Sequence, residues 1–346
     1  MKMHRLAWIG LAGIALAATA CDNGGGGGTD AGPTGDASTC NPRMCTPFMV
    51  PTLTAPMPPA TPPTCPTTGV PDPEQQMGNC CYRESQADQL AAPEMRIRNI
   101  ELLAPVGSPL TTPIIGSVLN TALENETFNW LVRGEGFDAD GDVMLRTGFG
   151  TRDDATNTYA FDSTGTWPAA TIRATLTGER LQSQVFDGSI TVPVLVDCAM
   201  RPTPPCDPMA VQVELTLRDL QIVDAYMGEN RSCIGYRSGA RYTQGGVLTA
   251  FIAVEDAREG MIEVPPLTTT VCSAIAGGLS DPNYCDGPQE CWSVQPDSLC
   301  GADGCEQNAS CGSNVCDPAG TSTSLPACNA WFLVGRFSAV GIDITD

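Results

Sequence analysis

The chain has 346 residues, with 39 Asp and Glu set against 18 Lys and Arg, one histidine and a formal net charge of −21. This acidic balance argues against a nucleic-acid partner and against electrostatic adhesion to anionic lipid, because both need basic clusters and none occurs. Aromatic residues are few, but 17 cysteines and 29 prolines are many.

Residues 1–20 carry the three parts of an export signal. Lys2 and Arg5 give a positive start, Leu6 to Ala18 is apolar, and small residues precede Cys21. The apolar run is about 13 residues long, short of the roughly 17–25 that a spanning helix needs. Cleavage before Cys21 removes Lys2 and His4, the only lysine and the only histidine, and leaves a charge of 16 − 39 = −23. A chain without imidazole cannot build Ser-His-Asp or Cys-His nucleophile systems, or the usual His-containing zinc sites. Without lysine there is no Schiff base and no phosphate-cradling P-loop lysine. Carboxylate chemistry of the glycosidase kind remains, as do oxygen ligands around a hard metal ion.

The sequence Ala18-Thr19-Ala20-Cys21 resembles a lipobox, the site at which bacterial lipoproteins are lipidated and cut, although Ala18 stands where that family usually has Leu. The resemblance implies lipidation at Cys21 and anchoring to the cell envelope, since two acyl chains hold a protein stably at a membrane. It does not decide between inner and outer membrane. Residues 21–92 then read as a lipidated tether: Gly24 to Gly28 open it, and 11 prolines fall within 42–73. Such a chain reaches on the order of 45 Å. Cys40, Cys45 and Cys65 are placed to staple part of it onto the folded body.

From residue 93 to 272 the pattern is that of a mainly β domain, an antiparallel β-sandwich or jelly roll with one short helix; a large barrel is the main competitor. Ile114, Ile115, Val118, Leu119, Ala122 and Leu123 share one helical face, which predicts a helix over 113–124. Strands are predicted over 96–103, 127–133, 143–149, 158–161, 170–176, 189–196, 211–222, 247–254 and 331–344, where Val, Thr, Phe and Trp alternate with polar residues between Gly, Asp, Asn and Pro.

Assigning Cys21 to lipid leaves 16 cysteines, an even number suited to disulfides in an exported compartment. Eight of them fall within 272–328, so 273–327 reads as a disulfide-rich excursion with too little aliphatic residue for a core of its own. Residues 328–346 read as the return of a final core strand. The order of parts resembles Cys-rich lipoproteins of gliding, predatory Gram-negative bacteria, a resemblance that implies no particular activity.

Asp138, Asp140 and Asp142 alternate as calcium-loop ligands do. The EF-hand pattern then fails at Val143 and Phe149, so the same residues also read as an Asp-Gly turn between two strands. Glu255-Asp256-Ala257-Arg258-Glu259 reads as a surface helix start or a turn. Trp130 and Trp331 lie in core-like runs, whereas Trp167 and Trp292 are the surface candidates for a sugar-binding face. These features predict a tethered binding or structural module for a glycan or an envelope protein, with calcium as its one candidate cofactor; a carboxylate-based glycan hydrolase and a passive envelope component are the alternatives.

Overall fold

The computed structural model describes residues 90–195, 210–227, 231, 233–238, 241–243, 245–264, 267–287, 289, 292–307 and 328–345. Residues 1–89, on which the expected export signal, Cys21 and most of the expected tether fall, lie outside the described residues, as do Cys198, Cys206, Cys291, Cys311 and Cys316. In chain order the elements are β1 (Glu94–Ala104), α1 (Pro113–Glu124), β2 (Trp130–Glu135), β3 (Gly141–Asp153), β4 (Thr158–Phe161), β5 (Ala170–Thr177), β6 (Arg180–Ser183), β7 (Ser189–Leu195) and β8 (Val211–Tyr226). There follow β9 (Tyr236–Ser238), β10 (Arg241–Thr243), β11 (Gly246–Ala253), α2 (Val254–Glu259), β12 (Met261–Val264), β13 (Leu267–Thr270) and α3 (Val271–Ala276). The last are β14 (Ser298–Gly301), β15 (Gly304–Gln307), β16 (Ala330–Gly341) and β17 (Ile344–Thr345).

The architecture is mainly antiparallel β, as the sequence predicts, and fifteen of the strands form one connected sheet. Its pairing closes on itself: β1 joins β2, then β3, β5, β6, β8, β11 and β16, which returns to β1. These eight strands therefore form one continuous closed sheet, and closure removes edges that would otherwise be open to pairing. The β6–β8 seam is short, with Arg180 opposite Tyr226 and Leu181 opposite Ala225. β8 is long enough to serve two neighbours on one side, pairing with β7 through its first half and with β6 near its end.

Period-two alternation sets the faces. In β5 burial alternates at every residue, so Ala170, Ile172, Ala174 and Leu176 point into the core and Thr171, Arg173, Thr175 and Thr177 point out. β11 is buried on both faces. Leu248, Ala250 and Ile252 belong to the central core, while Val247 and Phe251 join Ala104, Phe332 and Val334 in a second cluster. The hairpin β14–β15, closed by the Cys300–Cys305 disulfide, packs its two cysteines against that cluster. A third cluster, Leu131, Tyr159, Phe161, Val340, Ile342 and Ile344, lies under β4 and β17, which pair in parallel.

The helix predicted over 113–124 is α1 over the same residues, with Pro113 in its first turn and Leu123 fully buried. Its C-terminal carbonyls are met by cations: Arg96 and Arg98 both donate to Leu123 O, at 2.8 and 3.0 Å. Two short helices join the one predicted. α2 is the charged stretch at 255–259, and α3 is buried along its whole length. The Cys-rich excursion thus begins inside a core helix. Cys272 bonds to Cys285, and Cys285, Trp292 and Val294 belong to the central core.

Candidate functional site

Asp138, Asp140 and Asp142 are all exposed and lie in and just after the turn between β2 and β3. Asp142 has entered the strand opposite Thr175. Asp140 accepts a hydrogen bond from Gly178 N at 2.9 Å and faces the Arg231 guanidinium at 3.8 Å. Arg231 also donates to Phe137 O. These contacts brace an Asp-Gly hairpin turn. Among the described residues, no group of three or more Asp, Glu, Cys or His side chains is gathered to hold a metal ion.

Trp167 and Trp292, expected on the surface, are both buried. Trp167 packs edge-on against Phe149 with centroids 5.1 Å apart, and its indole N–H donates to Glu214 at 3.2 Å. Trp292 stacks on Trp331 at 5.8 Å. Each ring removes so much apolar area from water that a nearby core captures it, whatever the polarity of its neighbours in sequence. Trp130 and Trp331 are buried as expected.

The acids instead act as latches that hold appended elements to the sheet. Glu94 accepts from Arg133 Nε at 2.8 Å and from Ile344 N at 2.7 Å, which fixes β17 beside β1. Asp219 sits where β8 bulges against β11, at φ 51°, and accepts from Cys305 N, so the β14–β15 hairpin hangs on it. Asp256 takes two bonds from Arg218, at 2.7 and 2.8 Å, and Glu255 takes a third at 2.6 Å. Asp297 accepts from Phe332 N and Ser298 Oγ, both at 2.8 Å, and burial pushes its carboxyl above the ordinary range despite those donors.

One cleft lies beside the β4–β17 pair. It encloses about 330 Å³ and is lined by Arg146, Phe161, Asp162, Ser163 and Thr345. Arg146 projects from β3 with its guanidinium 4.5 Å from the centre of the Phe161 ring. Asp162 Oδ1 accepts from Thr164 N (3.0 Å) and Thr164 Oγ1 (2.7 Å), and Oδ2 accepts from Trp167 N (2.8 Å). Partial burial opposes its ionisation, but the donors outweigh burial and hold the carboxyl below its ordinary value. The loop 162–167 is thereby tied to one side chain. The sequence motifs did not point to this cleft: Arg146 and Asp162 lie apart in sequence, and only strand pairing brings β3 and the end of β4 together.

Comparison of the chain with protein-family models, with curated proteins and with solved structures returns no match.

Proposed function

We propose that this chain is an exported lipoprotein, anchored through lipid on Cys21, whose rigid β domain is displayed at the cell envelope as a binding or structural module for a glycan or protein partner. The observation that carries the role is the use made of the carboxylates. Glu94, Asp219, Glu255, Asp256 and Asp297 are committed to backbone donors or to arginine within the fold, whereas a hydrolase of the remaining chemical type needs two acids facing each other across a substrate cleft. The anchoring rests on the run from Lys2 to Cys21.

The test is fractionation of cells expressing the chain, with the mass of the N-terminal peptide read out alongside. The expected result is a membrane-bound protein beginning at a lipid-modified Cys21, and release of Cys21→Ser from the membrane. Unprocessed protein in the cytoplasm, or unchanged membrane binding in Cys21→Ser, would overturn the anchoring. Turnover of a glycan that is abolished by substituting a pair of acids would overturn the role.

A further inference from the structure

We propose that the cleft beside β4 and β17 binds a carboxylate-bearing sugar, a uronic acid unit of a glycan. This names a ligand class for the binding role proposed above and rests on that reading.

What sets Arg146 apart is the cleft that it lines and not its lack of a carboxylate partner, which Arg173 and Arg336 share among the described residues. Acids outnumber cations by 39 to 18 in this chain, yet among the described residues no carboxylate pairs with Arg146, and its one recorded partner is the face of Phe161. Its cross-strand neighbour Arg133 is neutralised by Glu94 at 2.8 Å and also donates to Ile344 O. The charge of Arg133 is thus met within the fold, whereas that of Arg146 meets only the ring face and solvent and is open to an anionic ligand. The ring of Phe161 and the central position of Arg146 in β3 hold the guanidinium in place. A preorganised fork of this kind binds a planar carboxylate through two parallel bonds with little entropy left to lose.

Asp162, on the wall of the same cleft, narrows the ligand class. Its internal donors keep it ionised, so a compact polyanion such as phosphate would meet a fixed negative charge as well as Arg146. A ligand with a single carboxylate and several hydroxyls does not have this conflict. Its carboxylate faces Arg146, and its hydroxyls donate to Asp162 and exchange hydrogen bonds with the exposed Ser163 hydroxyl. Thr345 Oγ1 already donates to Tyr159 O and so offers only acceptor capacity. A volume of about 330 Å³ lies at the small end of ligand pockets, which suits one sugar ring and not an extended chain. An exposed arginine on a strand is ordinarily only solvated. The cleft, the ring beneath it and the ionised acid beside it set this one apart.

The experiment is calorimetric titration of the full, oxidised chain with glucuronate, glucose, acetate and inorganic phosphate. Glucuronate binding is expected to exceed that of each other probe by at least about tenfold, and to fall by at least about tenfold in Arg146→Met. Arg173→Met, which alters an exposed arginine on neighbouring β5, is expected to bind as the parent does. Both substituted side chains are exposed, and a melting temperature matching the parent's checks that each variant folds. No glucuronate binding, equal binding of glucose or acetate, tighter binding of phosphate, or equal losses in the two variants would each overturn the site. A chain that fails these tests but still partitions to the membrane through Cys21 would lose this ligand and keep its anchoring.

Discussion

Asp219 offers a test of the latch principle in which backbone and side-chain effects separate. It is 8% exposed, has φ 51°, and its carboxylate receives Cys305 N from the β14–β15 hairpin. Asp219→Ala removes a charge-assisted hydrogen bond worth about 1.5–3 kcal/mol. It also places a residue with no local hydrogen-bonding capacity in the left-handed region, a conformation that costs ordinary residues roughly 1–2 kcal/mol. The combined loss is about 2.5–5 kcal/mol, or on the order of 10 °C in melting temperature for a domain of this size. Asp219→Gly loses the same hydrogen bond but frees the backbone, so it should fall less far than Ala by about 1 kcal/mol. Asp219→Asn keeps an acceptor and tolerates positive φ, and should be the mildest of the three. Urea unfolding of the oxidised protein gives the ranking, and hydrogen exchange at Cys305 N localises it. If Gly is as damaging as Ala, the conformation at 219 carries no strain. If Cys305 N is equally protected in Ala and parent, the latch does not exist.

Gly150 lies where β3 passes from β2 and β5 to β4, and a Cβ there would overlap Leu131 and the carbonyl oxygen of Ala160. Gly150→Ala should therefore cost about 1–3 kcal/mol, measured by urea unfolding, although alanine is otherwise the better strand residue. Asp297 and Asp162 should respond oppositely to pH. Burial raises the folded-state value of Asp297, so its contribution to stability diminishes as pH rises through the carboxylate range, and Asp297→Asn should remove that decline. The value of Asp162 is lowered by its donors, so its contribution is present above the unfolded value and lost as pH falls through the folded one; Asp162→Asn should be less stable than the parent at neutral pH and converge with it in acid. Melting curves between acid and neutral pH read both. Calcium should leave the melting temperature unchanged, because Asp140 is held by Gly178 N and Arg231 and Asp142 is committed to β3. A shift that disappears in Asp140→Ala would restore the loop as a metal site.

What was legible in the sequence was what short-range periodicity encodes. The helix over 113–124 and the strand over 158–161 fall on the predicted residues, and the long strands β1, β3, β5, β8 and β11 fall close to them. Of the strands of two to four residues, only β4 was read residue for residue. β6, β12, β13, β14 and β17 span two to four residues, too few for alternation to register, and their existence depends on a partner strand being in place. In α3 six residues with no polar face show no amphipathic period, and only its caps, Thr270 bonded to Ser273 N and Gly277 at φ 105°, mark it locally. Trp167 and Trp292 were misplaced because their flanks are Pro-rich or Cys-rich, whereas their burial is decided by Phe149 and Trp331, far away in the chain. Residues 255–259 read as a helix start or a turn and form a helix, in which Glu255 and Asp256 in the first turn and Arg258 in the last are signals local to the helix itself.

The latches also explain how so acidic a chain keeps a closed sheet together. Four of the acids spent on a backbone N–H or an arginine sit where an appended element meets the ring: Glu94 at β17, Asp219 at β14–β15, Asp256 at α2 and Asp297 where β14 meets β16. A carboxylate can accept several bonds at once, so one side chain can hold an element too short to hold itself by strand pairing. Arginine answers at the positions where the partner is a carbonyl or another acid, as Arg96 does at the end of α1 and Arg133 at Ile344. Several of the described arginines are used inside the structure in this way, whereas Arg146 and Arg173 meet no carboxylate. Arg146 supports no such junction and lies across a cleft from Asp162, whose Oδ2 carries one donor and keeps acceptor capacity, so it is the exposed arginine whose surroundings offer a ligand both a cation and an acceptor.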